Sequence, residues 1–133
     1  MLISIDTITQ FNKIIKNNKV VVVDFHREQC GPCKLLKPYL DYCAKTYTDI
    51  TFCDVDTDIA TDSDDLVTVC NIKGVPAVLV FVDGNHDKNF SFYGFKQPAL
   101  FKICKTFSTI YQQQQILQNA SSITKTDIDK TDN

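Results

Sequence analysis

The chain has 133 residues, 44% of them hydrophobic and 23% charged, enough for one domain around one buried core and too few for a second full domain. Its formal net charge of -2 supplies no broad positive field, which disfavours nucleic acid and leaves protein or small-molecule partners as the expectation. The first ten residues lack a basic start and a sustained apolar stretch, and no run is long enough to span a bilayer, so a reducing, cytoplasmic setting is expected in which the six cysteines act as thiols rather than as a disulfide framework.

After Asp6, a suitable N-cap, Ile8, Phe11, Ile14 and Ile15 recur at helical spacing until Asn17-Asn18 and predict a short amphipathic helix. Lys19 to Phe25 is a β-branched run without helical period, as expected of a strand covered on both faces. From Pro32, the residues Leu35, Leu36, Tyr39, Leu40, Tyr42 and Cys43 mark a helical stripe, which Pro38 is expected to kink. Ile50 to Val55 predicts a second strand. The acidic stretch over 54–65, with Asp54, Asp56, Asp58, Asp62, Asp64 and Asp65, is too acidic for a core and predicts a surface segment with a helical turn or two.

Ala77 to Val82 and Phe90 to Tyr93, separated by Asp83-Gly84-Asn85, predict an antiparallel hairpin. Pro98 then opens a helix whose core face is read as Leu100, Phe101, Cys104, Phe107, Ile110, Tyr111 and Leu117. Residues 1–118 are assigned to one domain and 119–133 to a flexible polar tail. The fold class is α/β, a central mixed β-sheet flanked by helices on both faces, with right-handed crossovers where strands run parallel.

Cys30-Gly31-Pro32-Cys33 falls where the buried strand ends and a helix begins. A thiolate there faces the positive end of the helix dipole, and the first cysteine of such motifs ionises at about 7 or below instead of about 8.5. Two intervening residues bring the sulfurs within disulfide reach, so one cysteine can attack and the other resolve. The competing reading is half of a zinc site with His26 as third ligand. No second CxxC and no Cys/His pair supplies the remaining donor, so no metal is expected. Cys43, Cys53 and Cys104 fall at apolar positions and read as packing residues, while Cys70 is the extra thiol placed for a regulatory or dimer-forming role.

The segments VVVDFHREQCGPCKLLKPYL and NIKGVPAVLVFVDG resemble the thioredoxin family, and the resemblance extends over about residues 1 to 118. It rests on CGPC, on Lys34 and Pro38 after it, on Asp24 before it, on Val75-Pro76, and on Gly84 and Gly94. It implies the thioredoxin fold and a protein-disulfide reductase that carries electrons in cell redox homeostasis, with Cys30 as nucleophile and Cys33 as resolving thiol of a redox-active disulfide. Asp24 is then the buried carboxylate that moves the Cys33 proton. Gly31 and Pro32 support the dithiol, and Pro76 is cis beside it, leaving the backbone of Val75 to pair with an extended substrate. No bound cofactor is implied. Electrons come from an external reductase, an NADPH-dependent thioredoxin reductase, and the partners are that reductase and disulfide-containing proteins, with no nucleic acid, no membrane and a monomeric state. Two other readings stay open, a disulfide isomerase or oxidase and a thioredoxin-fold subunit that clamps a partner.

The chain departs from the family at instructive places. The family's two tryptophans at the dithiol are replaced by Gln29 and His26, and the chain has no tryptophan. His26 is expected to modulate the Cys30 thiolate through its charge near neutral pH. The lysine that faces the buried aspartate is absent, its place being aligned with Phe52. The stretch from Asp56 to Pro76 is longer than in compact members, and its acidic residues suit either a solvated run or selection of basic substrates.

Overall fold

The computed structural model describes residues 1–58 and 63–131. In chain order its elements are β1 (Ile3–Ser4), α1 (Ile8–Asn17), β2 (Val20–His26), α2 (Gly31–Thr46), β3 (Thr51–Asp56), α3 (Ser63–Val69), β4 (Ala77–Val82), β5 (Asn85–His86), β6 (Phe92–Tyr93) and α4 (Gln97–Thr131). β2 is central, parallel to β3 and antiparallel to β4, in the order β1-β3-β2-β4-β5, and β6 also pairs with β4. A strand paired on both edges and covered on both faces has no side left for water, which explains its unbroken apolar sequence.

Strand alternation sorts these residues into two cores. Val21, Val23 and Phe25 pack with Phe11 of α1 and Leu66 of α3. Val20 and Val22 pack with Leu36 and Leu40 of α2 and with Leu100 and Ile103 of α4. Helices therefore cover both faces, as the sequence predicts. Continuing the same alternation places Asp24 and His26 on the α2 side of the sheet, at the end of the strand that leads into the cysteine pair.

Several boundaries differ from expectation for identifiable reasons. α1 is capped by Thr7 and not Asp6, because the Thr7 Oγ1 accepts the Gln10 N–H at 3.1 Å while Gln10 turns its own amide back to Asp6 N–H and the Ser4 carbonyl. The hairpin turn is the pair Asp83-Gly84, both at positive φ, so that Asn85 already pairs with Val82, the geometry of a two-residue hairpin loop. Its return strand is split into β5 and β6 by a turn in which the Asp87 carbonyl and carboxylate accept from Ser91 and from the Asn89 N–H.

α4 carries the largest difference. It continues through residue 119 to Thr131, with neither Gly nor Pro to stop it. Leu100, Cys104 and Phe107 of the predicted face are buried and Ile103 joins them, but Ile110 and Leu117 are exposed. A helix of 35 residues is on the order of 50 Å long, more than a small sheet can cover, so its apolar periodicity outlasts its partner. Of the acidic segment, residues 59–62 lie outside the described residues, and α3 provides the predicted helical turns.

Candidate active site

Cys30 is the N-cap of α2 and Cys33 lies in its first turn, with Pro32 at a position where a missing N–H removes no helical bond. The two cysteines are joined by a disulfide with Cα atoms 5.3 Å apart. The Cys33 N–H donates to the Cys30 sulfur at 3.2 Å. That amide is one of the unpaired donors at a helix start, so it and the helix dipole are in place to hold negative charge on Cys30 when the bond is reduced. Both sulfurs are mostly covered, at 8% and 5% residue exposure, beneath a rim formed by exposed Gln29, Gly31 and Pro32.

Asp24 is 4% exposed, and among the described residues its Oδ1 has no hydrogen-bond partner. Burial pushes its pKa from 3.8 up to about 7; the positive charge of His26 draws it down, Asp54 pushes it up and Lys37 draws it down. A carboxyl in this range exchanges protons readily at neutral pH. Asp24 and Cys33 line one cavity of about 120 Å³ together with His26, Lys37 and Asp54.

His26 Nε2 lies 2.9 Å from Asp54 Oδ2, and Asp54 Oδ1 accepts from the Ser4 hydroxyl at 2.9 Å. The hydrogen bond to Asp54 raises the His26 pKa above its usual value against the opposing effect of burial. Burial also works against the Asp54 carboxylate, but the bonds from His26 and Ser4 outweigh it and hold its pKa below the ordinary value. Among the described residues the His26 ring bonds to Asp54, and its positive charge also acts on Asp24.

The strand register shows what lies opposite Asp24. Phe52 pairs with Val22 and is buried, whereas the residue opposite Asp24 is Asp54. Positive charge reaches Asp24 from His26 and from Lys37, one helical turn after Cys33. Asp54 and Lys37 were therefore missed as site residues, although strand alternation from Phe52 and the i, i+4 spacing from Cys33 both point to them. The Val75-Pro76 peptide bond is cis, Pro76 is buried, and the Gly94 N–H donates to the Pro76 carbonyl at 2.8 Å.

The remaining cysteines are free thiols in different surroundings. Burial pushes Cys53 up to about 12 and Cys70 up to about 11. Cys43 and Cys104 meet between α2 and α4, where the hydrogen bond to Cys43 and burial both drive Cys104 upward. A thiol whose pKa is raised by about two holds about 100-fold less thiolate at neutral pH. Alkylation of the reduced protein at neutral pH, followed by mass spectrometry, should therefore modify Cys30 first and leave Cys70 at least about 100-fold slower than an ordinary free thiol. Rapid labelling of Cys70 would contradict this picture and restore it as a regulatory thiol. Among the described residues no three metal-ligating side chains converge, and no helix is long and apolar enough to cross a membrane.

A mixed sheet between helices, with a disulfide-bonded CxxC at the start of a helix and a buried carboxyl behind it, defines a thiol-disulfide oxidoreductase. Its chemistry is the reduction of protein disulfides by dithiol-disulfide exchange through Cys30 and Cys33. The chain belongs to the thioredoxin family, whose family model, described as Thioredoxin, matches residues 3–105. It is 38% identical over 76 residues to thioredoxin 1 of Plasmodium falciparum, covering 57% of this chain and 70% of that one. It is 33% identical over 93 residues to the thioredoxin of Homo sapiens, covering 68% of this chain and 86% of that one. The solution structure of oxidised thioredoxin from Plasmodium falciparum superposes with a TM-score of 0.71 at 30% identity, covering 81% of this chain and 99% of that one.

Proposed function

We propose that the protein is a reducing electron carrier in which Cys30 is the nucleophile, Cys33 the resolving thiol and Asp24 the acceptor of the Cys33 proton. Reduced Cys30 attacks a substrate disulfide to form a mixed disulfide. Cys33 then attacks the Cys30 sulfur, releasing the reduced substrate and closing the Cys30–Cys33 bond. The observation that carries this assignment is the Cys30 sulfur at the N-cap of α2, accepting the Cys33 amide.

Gly31 and Pro32 shape the turn that holds the pair, and the backbone of Val75, before Pro76, pairs with an extended substrate segment. No cofactor is bound in the cycle. An external reductase, NADPH-dependent and of the thioredoxin reductase class, restores the dithiol, and the chain acts as a monomer in the cytoplasm in cell redox homeostasis. The resemblance to the thioredoxin family supports these finer assignments, and the identity of the residues between the cysteines supports the reducing direction.

The test is equilibration of the Cys30/Cys33 pair against a glutathione series, coupled to turnover of insulin with a thioredoxin reductase and NADPH. The expected potential is near the value of about -270 mV that thioredoxin itself has, with turnover sustained by the reductase. A potential more than about 100 mV higher would instead identify an oxidase or isomerase. An intact dithiol that does not turn over would identify a partner-binding subunit.

A further inference from the structure

Asp24 is almost sealed from water, yet in the cycle proposed above its carboxyl must gain and lose a proton at every turnover. Its Oδ1 has no partner among the described residues. The cavity of about 120 Å³ beside it is large enough for ordered water. It joins Asp24 and Cys33 to His26, whose side chain is 25% exposed and so reaches solvent. His26 follows Asp24 by two residues on β2 and therefore shares its face of the sheet.

We propose that the His26–Asp54 pair is the proton outlet of Asp24, through which the proton taken from Cys33 leaves to solvent and by which it returns. The inference rests on the assignment of Asp24 as acceptor. The roles of the pair follow from its bonds. Asp54 is fixed through both oxygens, by His26 and by Ser4. An ionised carboxylate only accepts, so Nε2 carries the proton that faces Asp54 and Nδ1 is left to take and release one.

The charges facing His26 favour this use. Asp24 lies on its own strand, Asp54 and Asp56 on β3, and Lys37 reaches the cavity from α2. Arg27, Glu28 and Lys34 stand at the rim. The carboxylates stabilise the imidazolium, and Asp24, which titrates at about 7, gives up a proton readily at neutral pH. Lys37 and Lys34 are donors with no acceptor site.

In the resolving step the Cys33 S–H proton passes to the Asp24 carboxylate as the Cys33 sulfur attacks Cys30. The Cys30–substrate S–S bond breaks, the Cys30–Cys33 bond forms, and the substrate thiolate departs with the electron pair and is protonated by water. The dithiol loses two electrons and the substrate disulfide gains them. The proton on Asp24 then crosses the cavity to His26 Nδ1, and the imidazolium releases it to bulk water.

The test compares the resolving step, by single-turnover reduction of insulin, in the wild type, His26→Ala and His26→Gln from about pH 5 to about pH 9. Glutamine retains a hydrogen bond to Asp54 but has no titrating nitrogen, and thermal melting establishes that both variants fold. Both should slow resolution about tenfold near pH 7, less than the 10²- to 10⁴-fold of a direct general base. Added imidazole should restore most of the rate to His26→Ala, and alkylation of Cys30 should keep its wild-type rate. Resolution within about twofold of wild type in both variants, or a loss that imidazole leaves untouched, would overturn the outlet. Failure of the assignment beneath it would appear separately, as resolution that Asp24→Asn leaves at the wild-type rate.

Discussion

Replacing Cys33 by serine is expected to reduce turnover by at least about 10³-fold and to turn the protein into a trap for its substrates. Cys30 keeps its place at the start of α2 and can still attack, since the Cys33 amide that faces its sulfur at 3.2 Å is backbone and survives the substitution. The mixed disulfide therefore forms. Its release, however, depends on a thiol held within one helical turn, and well-oriented intramolecular partners reach effective concentrations of about 10⁵ M or more against millimolar external thiol. Mass spectrometry without reductant should show one covalent substrate adduct on Cys33→Ser, removed by dithiothreitol. Cys30→Ser should show neither adduct nor turnover. An adduct on Cys30→Ser and none on Cys33→Ser would reverse the two roles, while turnover within about tenfold of wild type in Cys33→Ser would remove the need for a resolving thiol.

The dithiol is legible in the sequence because its chemistry demands fixed residue types at fixed spacing beside a strand-to-helix change. Asp24 is legible for a related reason, a lone charge at the end of an otherwise apolar strand. Asp54 and Lys37 are not, since their relevance depends on how distant segments align. Asp54 lies thirty residues from Asp24, and only the parallel register of β2 and β3 sets them opposite each other. Phe52 and Asp54 lie two residues apart on one face of β3, and a reading that stops at Phe52 misses the carboxylate bonded to His26.

The end of α4 shows the complementary limit. Periodicity identifies which side of a helix is apolar, as it does for Ile110 and Leu117, but not whether any structure lies beneath that side. The split return strand after Asp83-Gly84 has a third origin, since it is made by hydrogen bonds between Asp87, Asn89 and Ser91 that override a local strand preference. Consequently the elements that carry catalysis are predictable one by one, whereas their electrostatic coupling emerges only when the sheet is assembled. In this chain that coupling places an Asp54–His26 pair beside the buried acid, at a position where a tryptophan would neither bind nor release a proton.

Asp24→Asn should make the protein more stable at pH 8 and less active at every pH. In the folded protein the carboxyl titrates at about 7, against the ordinary value of 3.8 that holds in the unfolded chain. Folding therefore favours the protonated form. The associated stability is complete below about pH 4 and is lost as pH rises through about 7, above which the wild type carries a buried carboxylate with an unpaired oxygen. A rise from 3.8 to about 7 corresponds to about 4 kcal/mol. Asparagine removes that charge but brings an amide that must itself find partners, which offsets about 1–3 kcal/mol. A net gain of about 1–3 kcal/mol at pH 8 is then expected from denaturant unfolding, and the gap should narrow or reverse as pH approaches 4. The same substitution removes the proton acceptor proposed for Cys33, so resolution should slow by about 10²-fold. An advantage independent of pH would show that Asp24 is not the buried titrating group, and unimpaired resolution would remove it from the proton path. Opposite signs in stability and rate at one residue would identify the buried carboxyl as retained for the reaction against the preference of the fold.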